Sequence, residues 1–196
     1  MAHYDLLVIG TGPAGQKAAV QAAKLGKTVG IIERKEVVGG VCTNTGTIPS
    51  KSLREAVLYL SGFRQRTLYG TKYRLKKAIT IEDLAFRANH IIKNEIEIVQ
   101  NQMARNRIDL IFGEARFVDP HRLIIQRAGT STEHHAHVIV IAVGTEPARP
   151  AEIPFDDDTI IDTDGFLTLK HLPTSMVIVG GGVIGTEYAS ILATMG

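Results

Sequence analysis

One cysteine, Cys42, occurs in the chain, within the stretch GGVCTNTGTIPSK at residues 39–51. A thiol set among glycines and followed by Pro49, Ser50 and Lys51 could exchange with a disulfide. Relay through sulfur needs a second thiol to resolve the mixed disulfide. Thr47 stands where that second cysteine could sit. A threonine hydroxyl forms neither a disulfide nor a thiolate. The loop therefore offers one sulfur, one cation and a run of bare backbone.

Two glycine clusters lie on either side of this loop. Gly10-Thr11-Gly12-Pro13-Ala14-Gly15 and Gly180-Gly181-Gly182-Val183-Ile184-Gly185 each contain GxGxxG. Each follows a short apolar run, YDLLVI at 4–9 and SMVIV at 175–179, and each opens a helical pattern. In that context the motif points to dinucleotide binding. Gly10 permits a tight turn, Gly12 lets a pyrophosphate approach the backbone, and Gly15 lets helix and strand pack closely. The helix start adds free amides and the positive end of its dipole. Glu33 ends the next strand, about 20 residues on, where a carboxylate accepts from ribose hydroxyls. In the second motif Gly180, Gly182 and Gly185 take the same places. Its acidic partner falls beyond Gly196, so the choice between NAD and NADP is not readable. Two such loops imply two dinucleotides, commonly a flavin and a nicotinamide.

The elements that must position these residues follow from periodicity and punctuation. Residues 4–9 and 28–32 read as strands buried on both faces. The Ala-rich segment 13–25 reads as a helix capped by Gly26. Together they form a βαβ unit with a right-handed crossover. Residues 49–63 read as a helix with Pro49 in its first turn, and 64–78 as basic and irregular. A long amphipathic helix is expected from 80 to 106, with Thr80 and Asp83 as its cap pair. Its stripe is Ile81, Leu84, Ile91, Ile92, Ile96, Val99 and Met103. Short strands follow at 109–112, 115–118 and 122–126, then a fully apolar one at 137–144. Pro147, Pro150 and Pro154 with Asp156 to Asp158 mark a domain boundary. Residues 175–179 are expected as a strand entering the second glycine loop.

Composition is that of a globular protein: 44% hydrophobic, 21% charged, net charge +2. That balance is too even to suggest a polyanion binder, so no nucleic-acid partner is expected. One cysteine excludes an internal disulfide and a CxxC zinc site, and a reducing cytoplasm is the expected compartment. The N-terminal apolar run is too short for a signal peptide or membrane span. His134, His135 and His137 lack a further ligand nearby and read as a solvated edge, so no metal site is expected. Asp156 to Asp158 read as a solvated loop.

Taken together, the first GxGxxG with Glu33, the GGVC…IPSK loop, the turn AVGTEP and the second GxGxxG resemble the flavoprotein disulfide reductases. Dihydrolipoamide dehydrogenase, glutathione reductase and mercuric reductase belong to that family. The resemblance runs through all 196 residues and covers less than half of a typical member. It implies a three-layer, Rossmann-like α/β FAD-binding domain with a long helical insertion and a β-meander, followed by the first β-α of an NAD(P)-binding Rossmann-like domain. The expected division is 1–150 for FAD, 151–172 as a connection and 173–196 as the start of the NAD(P) domain.

The resemblance also implies roles. Gly10, Gly12, Pro13, Ala14, Gly15, Glu33 and Arg34 would hold the ADP half of FAD. Gly39, Gly40, Val41 and Cys42 would line the pyrophosphate and flavin, with Lys51 beside the reactive ring nitrogen. Ala115 would contact adenine, and Ala142, Val143 and Gly144 would close over the cofactor. Gly180, Gly182, Val183, Ile184 and Gly185 would hold NAD(P), Val183 gating the nicotinamide pocket. Glu187 would pair with Lys51.

Thr47 departs from the family's second cysteine. Within the family, CTxxGTIPSK looks most like the loop of soluble pyridine nucleotide transhydrogenases. The expected activity is FAD-dependent hydride transfer between NADH or NADPH and NAD(P)+ without a redox disulfide, with Lys51 and Glu187 as catalytic residues and a homodimer as the assembly. Two alternatives stand beside it. One is a dihydrolipoamide dehydrogenase-like or NAD(P)H–quinone or dye reductase of the same fold. The other is an inactive FAD-binding fragment, since the second βαβ unit stops after one strand and one helix.

Overall fold

The computed structural model describes residues 2–70, 72–76 and 78–195. Thr71 and Lys77, in the stretch read as irregular, and Met1 and Gly196 at the two ends of the expected domains lie outside the described residues. The chain divides into two compact units, Met1–Asn44 with Lys93–Glu146, and Thr45–Ile92 with Pro147–Gly196.

The first unit is built on a sheet. Its strands are β1 (Ala2–Ile9), β2 (Val29–Glu33), β3 (Asp109–Phe112), β4 (Glu114–Asp119), β5 (Arg122–Arg127) and β6 (Thr130–Ile141), in the order β3-β2-β1-β6-β5-β4. β1, β2, β3 and the second half of β6 run parallel, with Ile9 opposite both Ile32 and Ile141. β4 and β5 join antiparallel as a meander, and the first half of β6 pairs with β5. β6 starts earlier than its apolar run suggested and ends at Ile141, so residues 142–144 leave the strand. Residues 130–136 are largely polar because β5 is antiparallel to them and part of that surface faces solvent.

Both faces of the parallel strands are covered. Successive side chains point to opposite faces, so Val8 and Ile31 pack with Ala19 and Val20 of helix α1 (Pro13–Lys24) and with Val99 and Met103. Leu7 and Ile32 pack on the other side with Leu123, Ile125 and Ala136. This explains the apolar stretches Leu6 to Ile9 of β1 and Val29 to Ile32 of β2. The register brings the carboxyl ends of β1, β2 and β6 to one edge. The ladder continues one residue further: the Gly10 amide donates to the Ile32 carbonyl, and the Ala142 amide to the Ile9 carbonyl, both at 2.8 Å. β1 lies between strands reached in opposite directions from it, the kind of switch point where α/β sheets bind ligands.

Short helix α2 (Gly40–Asn44) ends the first part of this unit. The second unit contains α3 (Thr47–Leu60), a 3-10 turn at Phe63–Gln65, α4 (Arg66–Tyr69), a 3-10 turn at Asp164–Thr168 and α6 (Val183–Met195). The segment read as irregular thus contains a short helix. The long helix α5 (Ile81–Arg105) contributes residues to both units. It starts as a reciprocal cap: the Thr80 amide donates to Asp83 Oδ2 at 2.9 Å, and the Asp83 amide to Thr80 Oγ1 at 3.3 Å. Leu53, Ala56, Val57, Leu84, Phe166, Tyr188 and Ile191 form the core of the second unit.

The strand expected at 175–179 is not one. The segment carries no ladder, and the second unit has no strand among its described residues. A buried parallel strand needs neighbours to bond its backbone. Here Val177 and Val179 are 90% and 94% exposed.

Candidate dinucleotide-binding and ion-pair sites

The first glycine loop turns out of β1 into α1 at the carboxyl edge of the sheet. Gly10 has φ +107°, and a Cβ there would lie 2.2 Å from the Ala142 carbonyl oxygen. A Cβ on Gly15 would lie 1.9 Å from the Gly10 carbonyl oxygen. No side chain fits at either place. Gly12 differs, since a Cβ there meets nothing within 4 Å. Its glycine therefore leaves open space beside the backbone, as a close-approaching ligand requires. Gly12 is the N-cap of α1, with Pro13 entering the first turn, and that turn holds no acidic residue. The orphan amides and the positive dipole end are uncompensated by the chain.

Glu33 ends β2 beside this loop and is buried. Its Oε2 accepts from the Thr11 hydroxyl and from the Thr11 amide at 3.2 Å, and its Oε1 from the Lys35 amide at 3.0 Å. Thr11 is 1% exposed. Its hydroxyl also accepts from the Gly39 amide at 3.1 Å, and its carbonyl from Gln16 Nε2 at 2.8 Å. The Gly39-Gly40 turn packs directly on the loop, since a Cβ on Gly40 would sit 2.9 Å from Gly12 Cα. Asn44 Nδ2 ties this turn by donating to the carbonyls of Val38 and Gly40 at 3.0 and 2.9 Å. Val41 and Cys42 follow in α2, half-buried, and Cys42 is a free thiol.

Arg34 is drawn to Glu146 in an exposed ion pair at 2.8 Å. An open depression of about 420 Å³ lies alongside, lined by Arg34, Gly113, Glu114 and Arg127 among others. Ala115 follows Glu114 as the second residue of β4, and the Gly113 amide donates to the Glu33 carbonyl at 2.8 Å. Ala142, Val143 and Gly144 leave β6 beside Gly10. Val143 is exposed, and Gly144 has φ +69° with open space around it. The first unit thus gathers Gly10 to Gly15, Glu33, Arg34, Gly39 to Cys42, Ala115 and Ala142 to Gly144. A bare-backbone cradle, a free helix start and a buried carboxylate with acceptor capacity fit the ADP half of a dinucleotide.

Sequence reasoning passed over Thr11, which occupies a variable place in GxGxxG. A hydroxyl between two glycines was the available signal. Its burial and its three partners depend on β2 and the 39–40 turn arriving beside it.

The second unit carries the other predicted residues. Its glycine loop repeats the local geometry of the first. A Cβ on Gly185 would lie 2.2 Å from the Gly180 carbonyl oxygen and 3.2 Å from Ile178 Cγ2, while Gly182 faces open space. The Thr186 amide donates to the Gly182 carbonyl at 3.0 Å, as the Gln16 amide does to Gly12 at 3.0 Å. Val183 and Ile184 are exposed. Lys51 Nζ, from the first turn and a half of α3, donates to Glu187 Oε1 of α6. Their side chains are 58% and 20% exposed. A depression of about 610 Å³ is lined by this pair, Arg54, Gly181, Gly182 and Val183. Tyr188, next to Glu187, has its phenol pushed up to about 12, chiefly by burial and then by the Glu187 and Asp164 charges.

Among the described residues no group of three or more His, Cys, Asp or Glu is arranged to hold a metal ion. His135 instead neighbours the rings of His3 and His137, 5.2 and 6.1 Å between centroids. Asp156 closes its own loop, accepting from the amides of Asp158, Thr159 and Ile160. The Thr159 hydroxyl chiefly, and then those amides, hold its carboxyl well below the usual range. No helix among the described residues is long and apolar enough to cross a membrane.

The profile of the family described as Pyridine nucleotide-disulphide oxidoreductase matches residues 4–196. The chain belongs to this family. As a pyridine nucleotide-disulphide oxidoreductase family member it is 56% identical to the soluble pyridine nucleotide transhydrogenases of Mycobacterium bovis and Mycobacterium tuberculosis, over 100% of its own length and 42% of theirs. It is 42% identical to that of Colwellia psychrerythraea, over 98% and 41% of the two chains. The chain therefore spans about two-fifths of the length of these curated relatives. Among solved structures it matches the Cu(II) complex of the HOCl-induced flavoprotein disulfide reductase RclA from Escherichia coli. That match has TM-score 0.80 and 31% identity, covering 100% of this chain and 41% of that one.

Proposed function

We propose that this chain is the FAD-binding part of a transhydrogenase-like flavoenzyme that moves hydride between NADH or NADPH and NAD(P)+ without a redox disulfide. The observation that carries the reading is the pair of glycine loops with matching geometry, combined with Thr47 in place of a second cysteine. The names of the 56%-identical relatives support it.

FAD, when bound, supplies an acceptor and donor of hydride. The residues of this chain do the rest. Gly10, Gly12, Pro13, Ala14 and Gly15 give the pyrophosphate backbone contact and the α1 dipole end, and Glu33 accepts from the ribose of the adenosine. Arg34 and Ala115 border the adenine, and Ala142 to Gly144 cover the cofactor. Gly39, Gly40, Val41 and Cys42 line it, Cys42 by packing. Lys51 holds a positive charge that favours the negatively charged reduced ring, and Glu187 orients that ammonium. Gly180, Gly182, Val183, Ile184 and Gly185 receive the nicotinamide dinucleotide. By role and not by compact unit, residues 1–150 serve FAD, 151–172 connect and 173–196 begin the NAD(P) part. The intact protein works as a homodimer in the cytoplasm with no nucleic-acid partner.

The test is reduction of an oxidised nicotinamide analogue by NADPH, read from the analogue's own absorbance, with the intact, FAD-loaded protein. Reduction of the analogue supports the reading. Reduction of quinones with no transfer to nicotinamide overturns it.

A further inference from the structure

We infer that Thr11 is the positioning residue that makes Glu33 selective for the ribose of the bound dinucleotide. The inference rests on the FAD reading of the first glycine loop and deepens it. A carboxylate offers about four acceptor sites. Thr11 occupies both on Oε2, through its hydroxyl and its amide, and the Lys35 amide takes one on Oε1. The acceptor capacity that remains lies on Oε1. Thr11 therefore fixes which oxygen meets a ribose hydroxyl.

The same hydroxyl cannot turn away. Its single proton goes to Glu33, and its lone pair receives the Gly39 amide at 3.1 Å. Gln16 Nε2 holds the Thr11 carbonyl at 2.8 Å. At 1% exposure no water competes for these bonds. One side chain thus joins the β1 glycine loop, the end of β2 and the 39–40 turn. A valine keeps this shape and loses both the donor and the acceptor.

The probe pair is FAD and an FAD analogue lacking both hydroxyls of its adenosine ribose, with binding to the intact apoprotein read by flavin fluorescence. The wild type should prefer FAD by on the order of 10-fold or more, the weight of hydrogen bonds to a charged acceptor. In Thr11→Val that preference should shrink towards unity, while Thr11→Ser keeps it. General loosening of the cradle weakens both ligands alike and leaves the ratio unchanged, so the ratio isolates the route through Glu33. Thr11→Ala gives the same readout if valine blocks folding. A hydroxyl-free variant that retains the wild-type ratio overturns the inference. Absence of FAD binding by the wild type removes the cofactor reading itself, and the inference with it.

Discussion

Gly12 separates a ligand effect from a folding effect. Its backbone lies at φ −66° and ψ 176°, extended geometry that any residue adopts, and a Cβ there meets no atom within 4 Å. For Gly12→Ala, an N-cap alanine costs about 0.5–1 kcal/mol relative to glycine. The stiffer unfolded chain returns about 0.4–1 kcal/mol. The two cancel to within about 0.5 kcal/mol. The added methyl instead occupies the space where a pyrophosphate would meet the loop. An overpacked contact costs about 1–3 kcal/mol, which is roughly 5- to 150-fold in affinity. Gly15→Ala is the contrasting control, because its Cβ would lie 1.9 Å from the Gly10 oxygen and 3.2 Å from Val8 Cγ1. It should lose stability by about 1–3 kcal/mol even without ligand. The assays are urea unfolding of the apoprotein and FAD titration. A Gly12→Ala protein that binds FAD like the wild type, or unfolds as early as Gly15→Ala, would refute the reasoning.

Lys51→Met should change stability by no more than about 1 kcal/mol, because the pair with Glu187 is exposed on the lysine side. Flavin reduction by NADPH in the intact protein should slow on the order of 100-fold, the weight of one electrostatic group at a developing charge. Stopped-flow absorbance measures this, and an unchanged rate removes Lys51 from the chemistry. Two-electron reduction of the FAD-loaded protein should show no long-wavelength thiolate band, and Thr47→Cys should introduce one. The phenols of Tyr4 and Tyr188 are both raised to about 12, each chiefly by burial, Tyr4 further by its bond to Asp109 and that charge. Their unfolded value is near 10. The folded state therefore holds more protons between these values, and its stability is full below pH 10 and falls from pH 10 to 12. Unfolding curves across that range should show the loss, and Tyr188→Phe should reduce it by about half, leaving the Tyr4 share.

Much of the first unit announces itself locally. An apolar run stopped by Gly10, Ala-rich spacing of three and four closed by Gly26, and a second short apolar run ending at Glu33 are sufficient for β1, α1 and β2. The Thr80–Asp83 pair likewise marks the start of α5, because a cap is a contact three residues long. Lengthening of β6 back to Thr130 was hidden, since its polar half is stabilised by β5 and not by its own hydrophobicity. The run at 175–179 misled for the opposite reason: apolar residues favour a strand, but the ladder has to come from neighbours.

The candidate site divides along the same line. That Gly12 and Gly182 present bare backbone is inherent in the absence of a side chain. So is the absence of a dithiol, because Thr47 carries no sulfur. That Glu33 is buried with Oε2 saturated, that Thr11 joins three backbone segments and that Lys51 meets Glu187 are facts of assembly. They join residues 22, 28 and 136 positions apart. Backbone freedom and functional-group chemistry belong to each residue alone and can be read one letter at a time. Burial and hydrogen-bond partnership depend on which distant segments arrive, and only the folded chain decides that.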